Sequence, residues 1–519
     1  MKLAVISAIL GILAFPLAGI YPLGFIFLTP LFIFIIKERS PLRLLLGVSL
    51  FRFILGIGVL FFVFDPIIFI SSILIFLGLP LSLLILRHFI KKIVPLWTST
   101  RKEIYCLLIL MPFLWTFWEL IEAKYSFLPT FVLTAGNIFG SSPFLGLAAI
   151  GGLAGLTFFA AVVNSLITFL ALNLKEFKPT QAGLPAGKQD KLKILTIILV
   201  IIFIISGGYL VSKLKLSKNA LNYQNLPNKF EVVLVSSANK FDQEFRFFKH
   251  EILSPEEKII AENLIEKKMN LVKDGLYGKK IDLMILPEDL IGMESWQDAD
   301  IEAKNKFGIE NSGVLIRAYR KLAQELNANL AVTLTTIQNN KRYNSTVVFN
   351  RKGELMDIYN KFNLTIGGEY WPFGNWQPFY HKLLEKKMME VDQGRAMFNK
   401  EYAYERGQEK ILKIENLIFG SAICSEAQYP WQIKEFKKMG AEFISHTATN
   451  RWAIFGLNNF RGLTDNLRKI EAVWLGIPIL INGRQEMAGV ITPDGKMNSA
   501  NFKSQNKDFG IFIGEIRTK

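Results

Sequence analysis

Cysteine and histidine are scarce in this sequence: 519 residues hold two cysteines and four histidines. Two cysteines so far apart, Cys106 and Cys424, make no disulfide framework, and the scattered histidines form no cluster at metal-ligand spacing. Charge is equally scarce over the first 211 residues, where apolar blocks of membrane-spanning length follow one another. With hydrophobic residues at 51%, the chain is too long and too apolar for one ordinary soluble domain. From Lys213 onward the text is mixed and charged, as in a globular protein. A membrane domain over 1–213, a linker over 214–228 and a soluble domain over 229–519 are therefore expected.

Seven spans are read in the first part: Leu3–Ile20, Leu23–Ile36, Leu44–Phe64, Ile67–Leu86, Ile104–Ile121, Leu145–Leu172 and Ile194–Val211. The first two form a tight Pro-kinked pair through "AFPLAGIYPLGFIFLTPL". Lys37, Arg39 and Arg43 follow the second span, Arg87, Lys91, Lys92, Arg101 and Lys102 the fourth, and Lys175, Lys178, Lys188, Lys191 and Lys193 the sixth. The other loops are nearly free of basic residues, so the positive-inside rule puts the N-terminus and these basic loops in the cytoplasm. An odd number of spans then delivers the soluble domain to the outer face of the cytoplasmic membrane. Residues 1–213 hold 17 Lys and Arg against seven Asp and Glu, which accounts for +10 of the net +16. The basic balance thus belongs to cytoplasmic loops and does not indicate nucleic acid.

The soluble part alternates strands and helices. "KFEVVLVSS" reads as a strand; Ser254 caps a helix through "PEEKIIAENLIEKKMNLVKDGL" with Glu257 three residues on; "IDLMILPED" is the next strand. "SGVLIRAYRKLAQELN" reads as a helix, "ANLAVTLTT" and "RYNSTVVFN" as strands, "RKGE" as a turn into "LMDIYNKF", "ENLIFGSAIC" as a strand, "YPWQIKEFKKMG" as a helix and "AEFISHTAT" as a strand. Such alternation indicates an α/β fold with helices outside. Chemistry collects where strands end. Glu288 ends "LMILPED", Lys361 ends "LMDIYNK" and Cys424 ends "LIFGSAIC". A carboxylate to take the thiol proton, a thiol to attack a carbonyl and an ammonium for the oxyanion make a kit for acyl transfer through a thioester. An adjacent ammonium is also expected to lower the cysteine pKa toward thiolate. Each residue has a plainer reading as a packed thiol, a helix cap or a surface charge, and His446 in "ISHTATN" offers a rival Cys-His pair.

"LPED", "YNKFNLTIGGEYWPF", "ICSEAQYP" and "TNRWAIFG" resemble the motifs of the nitrilase, or carbon-nitrogen hydrolase, superfamily. Joined to the multi-span N-terminus, they resemble the apolipoprotein N-acyltransferase family, and the resemblance covers nearly the whole chain. It implies a multi-span helical membrane domain followed by a nitrilase-like α-β-β-α sandwich. It makes Glu288 the general base, Lys361 the oxyanion-stabilising cation and Cys424 the nucleophile, with Glu369 and Glu426 in support. Glu426 can equally cap the helix that follows it. The implied reaction passes an acyl chain from a phospholipid to Cys424 and then to the amine of a diacylglyceryl-cysteine lipoprotein, without metal or other cofactor, in a monomeric membrane protein. Ser425 stands where the family has an aromatic residue, so an acyl pocket of different shape is expected. "TNRWAIFG" is looser than the family's asparagine motif, and "GIFIGEIRTK" reads as a strand where the family continues into one more membrane helix. A membrane-tethered amidase using the same three residues, and a catalytically inactive membrane scaffold, stay open as alternatives.

Two features bear on lipid. Arg52 lies inside an apolar span, where a charge costs ~2.5 to 3.5 kcal/mol, so it is expected to face the bundle interior, a water-filled cavity or a headgroup, or else to snorkel from a span end. "WPFGNWQPFYHKLLEKKMM" sets Trp371 and Trp376 with other aromatics beside lysines, a composition suited to a membrane interface. A covering loop over the domain core is the alternative.

Overall fold

The computed structural model describes residues 1–16, 18–60, 66–93, 100–126, 130–174, 188–237, 254–288, 290, 298–390, 398–449, 457–484, 487–500 and 509–519. Two units result, one of Met1–Lys218 with Phe455–Trp474 and one of Asn219–Ile454 with Leu475–Lys519.

The first unit contains α1 (Lys2–Ala14), α2 (Thr29–Lys37), α3 (Pro41–Val59), α4 (Pro66–Phe76), α5 (Gly78–Ile93), α6 (Thr100–Tyr125), α7 (Ala148–Leu174) and most of α8 (Lys188–Gln224). Among the described residues, five helical stretches are long and apolar enough to cross a membrane: Pro41–Val59, Ile70–Phe89, Glu103–Tyr125, Leu145–Leu174 and Ile194–Gln224. The first two expected spans are shorter helices, α1 and α2, separated by a 3-10 turn at Tyr21–Phe25. Leu28, at the N-cap of α2, has no side chain able to cap it. Asn164 of α7 does so from a distance, its Oδ1 accepting from Leu28 N and Thr29 N at 2.9 and 3.1 Å while its Nδ2 donates to Gly24 O. The stretch read as a linker differs from expectation: α8 runs through residues 214–224, where "LKLSKNALNYQ" contains neither proline nor glycine to stop it.

The second unit is built on β1 (Asn228–Ser237), α9 (Pro255–Asp274), β2 (Leu283–Ile285), α10 (Ile301–Phe307), α11 (Gly313–Leu326), β3 (Asn329–Gln338), β4 (Lys341–Phe349), β5 (Leu355–Asn360), α12 (Phe379–Glu390), β6 (Leu412–Ile414), β7 (Leu417–Ile423), α13 (Pro430–Lys438), β8 (Phe443–Thr449), β9 (Ile479–Arg484), β10 (Ala488–Ile491), β11 (Met497–Ala500) and β12 (Phe509–Thr518). The α9 start is a capping box, with Ser254 Oγ accepting from Glu257 N and the Glu257 carboxylate accepting from Ser254 N.

One sheet has the order β5-β4-β3-β2-β1-β12, the other β6-β7-β8-β9-β10-β11, and among the described residues a single pair, Ser237 with Arg484, links them. Strand alternation explains the layering. Leu330, Val332 and Leu334 of β3 face the apolar layer under α9 and α11, with Ile265, Met269, Leu315 and Tyr319. The residues between them point to the other sheet, where Thr333 meets Thr447 at 3.0 Å and Thr346 of β4 meets Ser421 of β7 at 2.7 Å. Asn482 Nδ2 on β9 donates to Val235 O and Ile285 O of the first sheet. On the second sheet, Phe436 of α13 packs over Gly420, where a Cβ would come within 2.6 Å of its ring. This is the expected α-β-β-α sandwich, with a hydrogen-bonded middle layer.

Candidate functional site

Three strand ends of the second unit carry the expected trio. Glu288 follows β2, Lys361 follows β5 and Cys424 follows β7. Glu288 and Lys361 are buried and Cys424 is half-buried, and each interacts electrostatically with the other two. Cys424 has φ of +52°, a left-handed conformation unfavourable for a residue with a Cβ. It turns the chain from β7 into the 3-10 segment Cys424–Gln428. The turn is held by Glu426. Its Oε2 accepts from Ile423 N at 2.9 Å, and its Oε1 accepts from Phe362 N at 2.8 Å, Asn363 N at 3.0 Å, Tyr359 Oη at 2.7 Å and Gln432 Nε2 at 2.8 Å. Glu426 therefore ties the cysteine turn to the two residues after Lys361; on α13 it bonds the Gln432 side chain and caps no backbone N–H. Ser425 Oγ adds a 2.8 Å bond to Thr365 Oγ1, a polar link at the position where the chain departs from the aromatic residue of the family it resembles.

Lys361 Nζ pairs with Glu369 Oε2 at 2.7 Å. Burial pulls the pKa of this ammonium down, but Glu369, Cys424 and Glu288 around it hold it above the ordinary lysine value. Glu288 accepts from Asn344 Nδ2 at 2.8 Å and from Thr449 N at 2.8 Å. Burial pushes its pKa up to about 7, against the pull of Lys361. The Cys424 thiol goes up to about 12 through burial and the Glu288 charge, with Lys361 pulling the other way. This corrects the expectation of a cysteine pKa lowered by the lysine. Lys361 does act in that direction, but burial and a neighbouring carboxylate outweigh it. The resting site therefore holds a protonated thiol beside a carboxylate that titrates near neutrality, an arrangement for proton transfer on demand.

His446 is brought close as well, on β8 beside Ala422 of β7. Its Nε2 lies 2.9 Å from the carbonyl oxygen of Cys424. A carbonyl only accepts, so that nitrogen carries a proton and cannot serve as base for the thiol. Asn344 and the Thr449 amide, both at Glu288, escaped the sequence reading. The asparagine of "RYNSTVVFN" lies in a strand with nothing local to mark it.

Residues 7–166 match the family model for the apolipoprotein N-acyltransferase N-terminal domain, and residues 253–460 match that for carbon-nitrogen hydrolase. Over these two stretches the chain is similar to the apolipoprotein N-acyltransferase family and to the carbon-nitrogen hydrolases. The hydrolase match contains Glu288, Lys361, Glu369, Cys424 and Glu426. An apolipoprotein N-acyltransferase of Aquifex aeolicus is 25% identical over 250 residues, covering 47% of this chain and 48% of that protein. The chain thus spans about half the length of this curated relative. Among solved structures, a carbon-nitrogen hydrolase from Helicobacter pylori is 15% identical, covering 56% of this chain and 89% of that one, with a TM-score of 0.37. An amidase from Nesterenkonia sp. is 12% identical, covering 56% and 93%, with a TM-score of 0.35.

The remaining expected residues are separately placed. Arg52 faces the interior of the first unit and does not snorkel: its guanidinium pairs with Glu122, lies 4.0 Å from Glu119 and stands over the Phe76 ring at 5.0 Å. Ser72 and Thr130 also donate to Glu122, and Ala135 N to Glu119. In the second unit, Trp371 Nε1 donates to Trp376 O at 2.8 Å, and the Trp371 ring meets Phe373 and His381. Trp376, Phe379 and Leu383 stay exposed, at 57%, 84% and 80%. Of "TNRWAIFG", the part from Asn450 to Gly456 lies outside the described residues.

Proposed function

We propose that this protein transfers an acyl chain from a phospholipid, through a thioester on Cys424, to the N-terminal amine of diacylglyceryl-cysteine lipoproteins. The observation that carries the reading is the convergence of buried Glu288 and Lys361 on half-buried Cys424, with its strained cysteine turn, in a chain whose first part matches the N-terminal domain of this acyltransferase family. Glu288 takes the thiol proton as Cys424 Sγ attacks the ester carbonyl, and the Lys361 ammonium stabilises the oxyanion. Collapse breaks the ester C–O bond, Glu288 returns the proton to the departing lysophospholipid alkoxide, and a thioester remains. The lipoprotein amine then attacks the thioester carbonyl. Its proton passes through Glu288 to the leaving thiolate, and the product is an amide. Glu369 holds Lys361 in place and Glu426 holds the turn.

In this reading residues 1–213 form the membrane domain and the catalytic domain lies outside the cytoplasmic membrane, as the basic-loop count suggests. Exposed Trp376, Phe379 and Leu383, with Lys382 and Lys386 nearby, suit a segment that meets lipid beside the site. The test is the fate of label from an acyl-labelled phospholipid incubated with purified protein and a diacylated lipopeptide. Label should appear first on the protein as a hydroxylamine-sensitive adduct, then on the lipopeptide amine, and Cys424→Ala should abolish both. Release as free fatty acid even with the lipopeptide present would make water the acceptor and the protein a hydrolase; an adduct that survives Cys424→Ala would refute the mechanism.

A further inference from the structure

Asn344, at the inner face of β4, uses one nitrogen on two carboxylates: Nδ2 donates to Glu288 Oε1 at 2.8 Å and to Glu369 Oε1 at 3.0 Å. The amide orientation follows from chemistry, because turning the oxygen toward two carboxylates would set three acceptors against one another. The same residue's carbonyl oxygen accepts from Lys361 N at 2.8 Å. Asn344 therefore touches the expected base, the lysine's partner and the lysine backbone from a rigid strand. We propose that Asn344 is a positioning residue that holds Glu288 and Glu369 apart and assigns them separate tasks, Glu369 to the Lys361 ammonium and Glu288 to the Cys424 thiol.

The argument rests on what two neighbouring carboxylates do when nothing stands between them. They share one proton, and the pair then titrates as a unit in which one member stays protonated. Here each carboxylate has an oxygen committed to a different hydrogen of the same amide, which cannot give up a proton at neutral pH. Glu369 Oε2 is left for Lys361 at 2.7 Å. Glu288 has Thr449 N on its other oxygen, so both of its oxygens accept from donors, which favours the ionised form against the pull of burial. The charged groups facing Glu288 are Lys361, Glu369 and the Cys424 thiol, and the Asn344 bond works with Lys361, against burial and Glu369. Loss of the amide would let the base acquire a proton from its neighbour or from solvent, and a protonated Glu288 cannot accept one from Cys424.

This inference rests on the reading of Glu288 as the base for Cys424, and its test is independent of the lipid substrates. The pH profile of Cys424 alkylation by iodoacetamide, a small neutral electrophile, is followed in the full-length protein in detergent. Wild type should show an acid limb near the Glu288 value of about 7. Asn344→Ala should move that limb upward by about one pH unit, making alkylation roughly tenfold slower at a pH below the limb while the rate above it changes little. Asn344→Asp, close in shape and able to fold where alanine does not, should move it at least as far. A uniform drop in rate with the limb in place, in whichever variant folds, would reduce Asn344 to a packing residue and overturn the proposal. A wild-type profile that has no such limb, or that Glu288→Gln leaves unchanged, would overturn the base reading itself.

Discussion

Lys361→Met removes the cation that faces Glu369, Glu288, Glu426 and the Cys424 thiol in a buried site, and its consequences can be worked out in sign and size. Leaving Glu369, whose side chain is only 12% exposed, without its 2.7 Å partner should cost about 3 kcal/mol of stability. Loss of the oxyanion donor should lower turnover by about 10² to 10³, with little change in donor affinity, since the interaction belongs to the transition state. Stability should also acquire a steeper pH dependence. Glu288 is an acid whose folded pKa, about 7, lies above its ordinary 4.5, so the folded state binds more protons than the unfolded chain between those values. Its contribution to stability is therefore lost as pH rises through that window, by about 3 kcal/mol in wild type. Lys361 itself is charged in both states near neutrality and adds no slope there. Removing it lifts Glu288 further, so the decline should continue above neutral pH. The measurements are turnover with labelled phospholipid and lipopeptide, and thermal unfolding in detergent, both between about pH 6 and pH 8. Glu288→Gln should combine with Lys361→Met less than additively. Near-normal turnover of Lys361→Met, a pH-independent loss of stability, or greater damage from His446→Ala would refute this reasoning.

Topology gives a second expectation: a reporter active only in the cytoplasm, fused after Lys519, should be silent, and strong activity would mean that the number of membrane crossings is even. Arg52→Leu leaves Glu119 and Glu122 buried with their shared guanidinium gone, and should shift thermal inactivation by the equivalent of about 3 to 5 kcal/mol. Adding Glu122→Gln should restore part of that loss, because the amide keeps hydrogen-bonding capacity for Ser72 and Thr130 without a buried charge. An equal loss in the double variant would show that Arg52 acts through packing alone.

Most secondary structure of the second unit is legible because local and long-range demands agree. "NLAVTLTT" alternates leucine, valine and leucine against alanine and threonine, and the structure buries the first set under helices and turns Thr333 to the opposite sheet, where it meets Thr447. Ser254 and Glu257 form the box that their spacing implies. In the first unit, five long apolar stretches stand out by composition alone. The extent of α8 is less legible, since a charged helix and a charged linker share the same residues and nothing in 214–224 stops the turns. The Leu457–Leu475 helix is amphipathic and reads as part of the soluble domain, yet most of it clusters with the first unit. Its bonds there, Asn466 Nδ2 to Asn137 O and Asn137 Nδ2 to Leu463 O, join residues more than three hundred positions apart.

At the candidate site, residue identity carries into the sequence text but environment does not. Strand ends mark Glu288, Lys361 and Cys424, yet the direction of the cysteine pKa depends on burial, which a ten-residue window does not contain. The same limit applies to Arg52. Read within its span it is a lone and costly charge, whereas Glu119 and Glu122 belong to another span and become its partners when the helices pack. Asn344 is the sharpest case. Its neighbours in sequence are β-strand residues of no special chemistry, and its meaning comes from two glutamates, 56 and 25 positions away, that converge on one amide. A lone asparagine in a strand is unremarkable by composition. Once a buried and a half-buried carboxylate depend on its single nitrogen, substituting it alters the surroundings of both, which a surface asparagine in the same strand could not do.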